Sequence, residues 1–264
     1  MAAYLIPVAF VTVVWLVIVY LNERHGLLDA ADRFPHPALK WLAYALLGAF
    51  MVAMAVTVTH SALTPVTSEQ LGSVPFYSLF ALHAMLIGFL FVWWLLTGLP
   101  KVKEFLQIRH ERPGEVLAIG TAVGVGGWML TLMTAMLVGL LLSASGLMDD
   151  PPDPPAMIGW MAALPVWKKA LIVLSAMTVE EFFFRSFLQK RVGLVASTIL
   201  FALAHFTYGN PLLLIGVTII SLIIGITFHR TKNVVPGIIA HGVFDAIQLF
   251  VIVPIAFKAT GLGS

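Results

Sequence analysis

The chain has 264 residues, 60% of them hydrophobic and only 11% charged, with a net charge of +2 and a mean hydropathy of +0.97. A soluble domain of this length needs far more charge to cover its surface, so lipid must be the solvent for most of the chain; the near-neutral balance gives no reason to invoke nucleic acid. The absence of cysteine excludes disulfides, a thiolate nucleophile and cysteine-ligated metal.

A helix crosses the hydrocarbon core with roughly 20 mostly apolar residues. Runs of that kind cover 4–21, 39–60, 75–98, 115–144, 166–190, 193–208, 211–229 and 235–257. The sequence therefore predicts an all-α, polytopic membrane protein with about eight transmembrane helices. The first run lacks a basic flank before it and a small-residue cleavage site after it, and reads as a retained span rather than a signal peptide. His83 lies inside the third run and reads as a packing or cavity-lining residue. In the fourth, the glycine-rich stretch Gly120–Gly127 predicts close helix packing or a kink, since no lysine follows it to make a phosphate loop. The stretch Asp149–Pro155 is an acidic, proline-rich loop. It divides the chain into N-terminal helices (residues 1–165) and a second helical unit (166–257). Gly209-Asn210-Pro211 marks a tight turn between the sixth and seventh runs.

Orientation follows from the basic residues. If alternate loops share a side, one side collects Arg24, Arg33, Lys40, Lys101, Lys103, Arg109, Arg112, Lys190, Arg191, Arg230 and Lys232. The other holds Lys168, Lys169 and Lys258. The positive-inside rule makes the first side cytoplasmic and places both termini outside, with the Lys168-Lys169 pair running against the assignment.

Glu180, Glu181, Arg185 and Asp245 fall well inside predicted spans. Each costs about 2.5–3.5 kcal/mol at a helix centre, a burden that points to partners or to function. Glu181 and Arg185, spaced i, i+4, share a helix face where they can pair. Glu180 lies about 100° round the helix, free to face another neighbour. The pair reads as structural and Glu180 as chemical. His205 follows Phe201 at i+4, and His241 precedes Asp245 at i+4, so each couple shares a face. At about 1.5 Å rise per residue, Glu180, His205 and His241 can meet in the cytoplasmic half of the membrane.

In order and spacing, Glu180-Glu181-Phe-Phe-Phe-Arg185, Phe201-x-x-x-His205 and His241-x-x-x-Asp245 resemble the CPBP family, the CAAX proteases and bacteriocin-processing proteins, also called the ABI family. The resemblance covers about residues 166–250; residues 1–165 add nothing specific to it. It implies an intramembrane endopeptidase with an all-helical core and a site open toward the cytoplasm, in a bacterial or archaeal plasma membrane. By motif, Glu180 and His205 activate a water, while His241 and Asp245 stabilise the oxyanion or orient the group that does. Glu181, Arg185 and Phe201 support the site. An ionised Asp245 cannot donate a hydrogen bond, so it orients His241 as an acceptor. Ser186 stands where the family commonly has glycine.

The implied substrate is a membrane-anchored protein or peptide, and the implied enzyme is glutamate-type with no cofactor. Zinc held by Glu180, His205 and His241 is the alternative, although the H-E-x-x-H helix is absent. Two other classes compete: a non-catalytic bacteriocin-immunity or scaffold protein of the same family, and a proton-coupled transporter. The transporter reading predicts matched inverted halves, and residues 1–165 hold no counterpart of the acidic cluster.

Overall fold

The computed structural model describes residues 2–26, 32–64, 68–109, 112–147, 156–206 and 210–259. These residues form twelve α-helices and no strand: α1 (Ala2–His25), α2 (Pro37–Leu63), α3 (Ser68–Ser73), α4 (Ala81–Leu96), α5 (Val102–Phe105), α6 (Pro113–Ala144), α7 (Ala156–Ala163), α8 (Val166–Glu181), α9 (Lys190–Ala204), α10 (Pro211–Thr231), α11 (Val235–Ala246) and α12 (Val253–Ala259). A 3₁₀ turn (Phe76–Phe80) leads into α4. Two π-helical segments interrupt the series, Phe182–Gln189 after α8 and Ile247–Ile252 after α11. The fold is all-α and polytopic, as predicted.

Among the described residues, six helices are long and apolar enough to cross a membrane: Ala3–His25, Pro37–Leu63, Phe76–Leu96, Pro113–Ala144, Pro211–Thr231 and Val235–Ala256. The predicted spans at 166–190 and 193–208 are helical but do not meet that standard. The first carries Lys168, Lys169, Glu180, Glu181 and Arg185, and the second is short. They join in one run that bends at Gly193, whose φ of 82° and ψ of 174° suit only glycine. The predicted turn after the sixth run lies partly outside the described residues. Asn210 starts α10, its Oδ1 accepting from the Leu212 and Leu213 backbone N–H groups at 3.0 and 3.3 Å. The Asp149–Pro155 stretch lies wholly outside them.

The glycine stretch of α6 is a packing seam. A Cβ on Gly120 would stand 2.6 Å from Ile239 Cβ, and one on Gly124 would stand 2.7 Å from the Ala240 carbonyl oxygen. Gly127 approaches Ile220 of α10 in the same way. The missing side chains let α6 lie directly on α11 and α10, as small residues do between membrane helices. Gly124→Ala should therefore push α11 outward and cost about 1–3 kcal/mol, as overpacking does. Thermal unfolding in detergent checks this against Gly126→Ala, where an added Cβ meets nothing within 4 Å.

The basic loops gather at one end of the bundle. Arg191 forks onto Asp32, with Nε to Oδ2 at 2.7 Å. Its guanidinium lies 3.8 Å from the centre of the Phe187 ring. The Val234 N–H donates to the Gln107 carbonyl at 3.0 Å, and Asn233 exchanges two 3.1 Å hydrogen bonds with the backbone of Arg109. Ser186 Oγ donates to the Leu106 carbonyl at 2.6 Å. Ser186 thus pins the basic loop after α5 to the π-segment. At the opposite end Lys169 is buried and donates to the Ala162 carbonyl at 2.7 Å, while Lys168 sits over the rings of Phe76 and Trp167. Both exceptions to the charge asymmetry have local packing partners.

Candidate active site

The cluster is assembled from the end of α8, the end of α9 and the middle of α11. α8 brings Glu180 and Glu181 side by side on different faces. Glu181 is fully buried, its Oε2 taking the Nε–H of Arg185 at 3.0 Å. Its Oε1 takes the Nδ1–H of His241 at 2.9 Å. Arg185 is itself fully buried and reaches Ser221 of α10 through Nη2 at 3.1 Å, with its guanidinium 5.3 Å from the centre of the Phe201 ring. Arg185 lies in the π-segment, whose wider turn leaves Phe183, Phe184, Arg185, Ser186, Phe187 and Gln189 all buried. Segments of this kind often occur at functional sites.

Glu180 faces the other way, into a cavity of about 1260 Å³ whose walls are mostly aliphatic and aromatic. His83, Glu180, Arg191, His205, His241 and Asp245 are the ionisable residues lining it. Glu181 and Arg185 stay behind the wall. Glu180 Oε2 is buried and accepts no hydrogen bond among the described residues. It stands 3.8 Å from His205 Nε2, too far for a direct hydrogen bond.

His205 is the first residue past α9. Its Nδ1–H donates to the Phe201 carbonyl at 2.8 Å, and its ring stacks on the Phe201 ring at 4.5 Å between centres. With the Phe201 carbonyl accepting, Nδ1 carries a hydrogen, and Nε2 faces Glu180. Phe201 also meets His241 edge-on at 6.1 Å. Phe201 thus fixes both histidines.

His241 Nε2 is 3.3 Å from Asp245 Oδ2, one turn further along α11. The imidazole therefore sits between two carboxylates, and both bonds are satisfied when each ring nitrogen carries a hydrogen. Gly237 and Gly242 of α11 permit this approach. A Cβ at Gly237 would lie 3.3 Å from Glu181 Oε2, and one at Gly242 would collide with Met177 of α8.

All seven residues of the three motifs lie in this one cluster. Glu180 meets His205, whereas His241 joins Glu181 rather than Glu180. A zinc ion held by Glu180, His205 and His241 does not fit this arrangement, because both nitrogens of His241 are engaged by carboxylates. Among the described residues no group of three or more histidine, aspartate or glutamate side chains is placed to hold a metal ion.

Sequence reasoning missed a partner. His83 of α4, read as a packing or cavity-lining residue, lies with Nε2 3.3 Å from Glu180 Oε1 and Nδ1 2.7 Å from Ser175 Oγ. An ionisable group in the middle of an apolar span was the available signal. Its partner lies 97 residues away, a pairing that no local pattern discloses.

Glu180 and His205 thus face one lined cavity, backed by the buried layer of Glu181, Arg185 and His241. Residues 162–247 match the family model described as "Type II CAAX prenyl endopeptidase Rce1-like". This is consistent with the CPBP family and supports a CPBP-type intramembrane protease. A curated relative, the uncharacterized protein YpbD of Bacillus subtilis (strain 168), is 39% identical over 69 residues, which is 26% of this chain and 36% of YpbD. The match thus spans little more than a third of that relative's length. No solved structure matches the chain.

Proposed function

We propose that this protein is a glutamate-type intramembrane endopeptidase that hydrolyses a peptide bond in a membrane-associated protein or peptide. The observation carrying this reading is the 3.8 Å gap between Glu180 Oε2 and His205 Nε2. With His205 neutral both atoms are acceptors, and a water at about 2.8 Å from each can donate one hydrogen to each. Its lone pairs then point into the cavity, toward a scissile carbonyl.

As the water oxygen attacks the carbonyl carbon, its proton passes to Glu180, with His205 holding the second hydrogen. The carbonyl oxygen becomes an oxyanion. It is met by His241 Nε2–H, whose existing 3.3 Å contact with Asp245 is the longer and more exposed of its two bonds. Glu181 meanwhile keeps the ring in register through Nδ1. Collapse of the intermediate breaks the C–N bond, and Glu180 returns its proton to the leaving amine. The new acid gives up the second water hydrogen by way of His205, so the products are a carboxylate and a protonated amine. No step uses a metal or other cofactor.

The substrate enters the cavity from the bilayer, and the gathered basic loops support a site nearer the cytoplasmic face. The match to a CAAX prenyl endopeptidase family makes farnesylated CAAX peptides the first probe; peptides anchored by an apolar helix are the second. Purified protein in detergent should cleave one of these sets, and a strong chelator should leave the rate unchanged. Chelator sensitivity moves the reading to a metalloprotease. If no peptide is cleaved, and cells lacking the protein show changed bacteriocin sensitivity that a Glu180→Ala copy restores, the immunity or scaffold reading takes over.

A further inference from the structure

Two ionisable residues lining the cavity, His83 and Arg191, play no part in the mechanism above, and His83 comes from outside the segment matched by the family model. His83 lies on α4, in the N-terminal part of the chain, yet its ring bridges two residues of α8: Ser175 Oγ at 2.7 Å and Glu180 Oε1 at 3.3 Å. Its side chain is 14% exposed, as is that of Glu180, so water competes little for these bonds.

The hydrogen-bond chemistry has one consistent direction. An ionised carboxylate only accepts, so His83 Nε2 must carry the hydrogen directed at Oε1. In the neutral ring Nδ1 is then an acceptor, and Ser175 is the donor that fills it. The chain of donors runs from Ser175 through His83 to Glu180. Its effect is to divide the carboxylate. Oε1 is held by α4, and Oε2 is left facing His205 with no hydrogen bond among the described residues.

Resting on the proteolytic reading, we propose that His83 is a positioning residue for Glu180: its Nε2–H fixes the carboxylate so that Oε2 addresses the water-binding position opposite His205. The N-terminal helices then do more than surround the matched segment; they supply a component of its site. The other ionisable groups around Glu180 are His205 at the end of α9 and His241 with Asp245 on α11. Among the described residues, Oε1 takes its hydrogen bond from His83.

The test is a steady-state comparison of the purified full chain on a farnesylated or helix-anchored peptide it cleaves. His83→Phe keeps the ring and loses the donor. His83→Gln puts an amide N–H where Nε2 stood. Loss of orientation by about 1 Å costs on the order of 10²-fold in rate. His83→Phe should lower kcat about 30- to 100-fold with KM within about threefold, and His83→Gln should recover most of that loss.

A kcat within about threefold of wild type for His83→Phe overturns the proposal, as does a rise confined to KM, the mark of a cavity wall. It also falls if His83→Gln is as impaired as His83→Phe. Should His83→Phe not fold, Ser175→Ala decides: kcat falls severalfold if Nδ1 needs its donor, and unchanged kcat overturns the chain. Glu180→Gln is measured alongside. If it cleaves like wild type, the reading of the whole site fails and this proposal with it. If Glu180→Gln is inactive while the His83 variants are normal, the positioning role alone fails.

Discussion

Replacing Glu180 with glutamine is expected to lower kcat/KM by about 10³-fold or more while leaving the protein folded. The first part follows from the proposed role of Oε2. An amide cannot take a proton from water, and general-base catalysis is typically worth 10²- to 10⁴-fold. The second follows from where the side chain sits. Glu180 borders the cavity and is not the partner of Arg185, so its neutralisation strands no buried charge. Glutamine can still accept from His83 through its Oε1.

His205→Phe should cost a similar factor, since the ring can still stack on Phe201 but offers no lone pair to the water. The two losses should not multiply. Both groups act on one water, so the double variant should be little worse than the poorer single one. Full multiplicativity in kcat/KM would show that they serve different steps. Circular dichroism and unfolding temperature, measured alongside, separate a chemical loss from a structural one.

Arg185→Met should destabilise the fold by about 3–5 kcal/mol, the usual cost of leaving one partner of a buried ion pair uncompensated. Both Glu181 and Arg185 have no exposed side-chain surface, and among the described residues the carboxylate's other hydrogen-bond partner is His241 Nδ1. Methionine has nearly the volume of the arginine stem, so the loss reads charge rather than packing. Adding Glu181→Gln should recover part of the stability, giving a coupling of about 1–3 kcal/mol in a double-mutant cycle. If Arg185→Met unfolds at the wild-type temperature, the pair does not carry the structural role assigned to it. Activity should fall as well, because Glu181 also holds His241.

These two predictions rest on a division already legible in the sequence. Spacing of i, i+4 placed Glu181 and Arg185 on one face, and the helical turn placed Glu180 on another. The structure shows the consequence: one carboxylate ion-paired and sealed, its neighbour facing a cavity. The i, i+4 couples Phe201–His205 and His241–Asp245 were legible for the same reason. A helix repeats every 3.6 residues, so contacts within one element are written in local order. Composition alone required lipid, because an 11% charged chain cannot cover itself in water.

What the sequence could not supply are the contacts between elements. His241 shares no local pattern with Glu181, and His83 shares none with Glu180; each depends on which helices become neighbours and at what rotation. The two π-segments were equally hidden, because an i→i+5 bond differs from an i→i+4 bond only once tertiary packing decides which is worth making. Gly120 and Gly124 announced a close approach without naming the partner, and only the packed bundle shows it to be α11. Local chemistry thus determined which residues are candidates and which face each takes. The packing of α4, α6, α8 and α11 decided whom each one meets, because those distances are set by side-chain volumes across the whole bundle rather than by order along the chain.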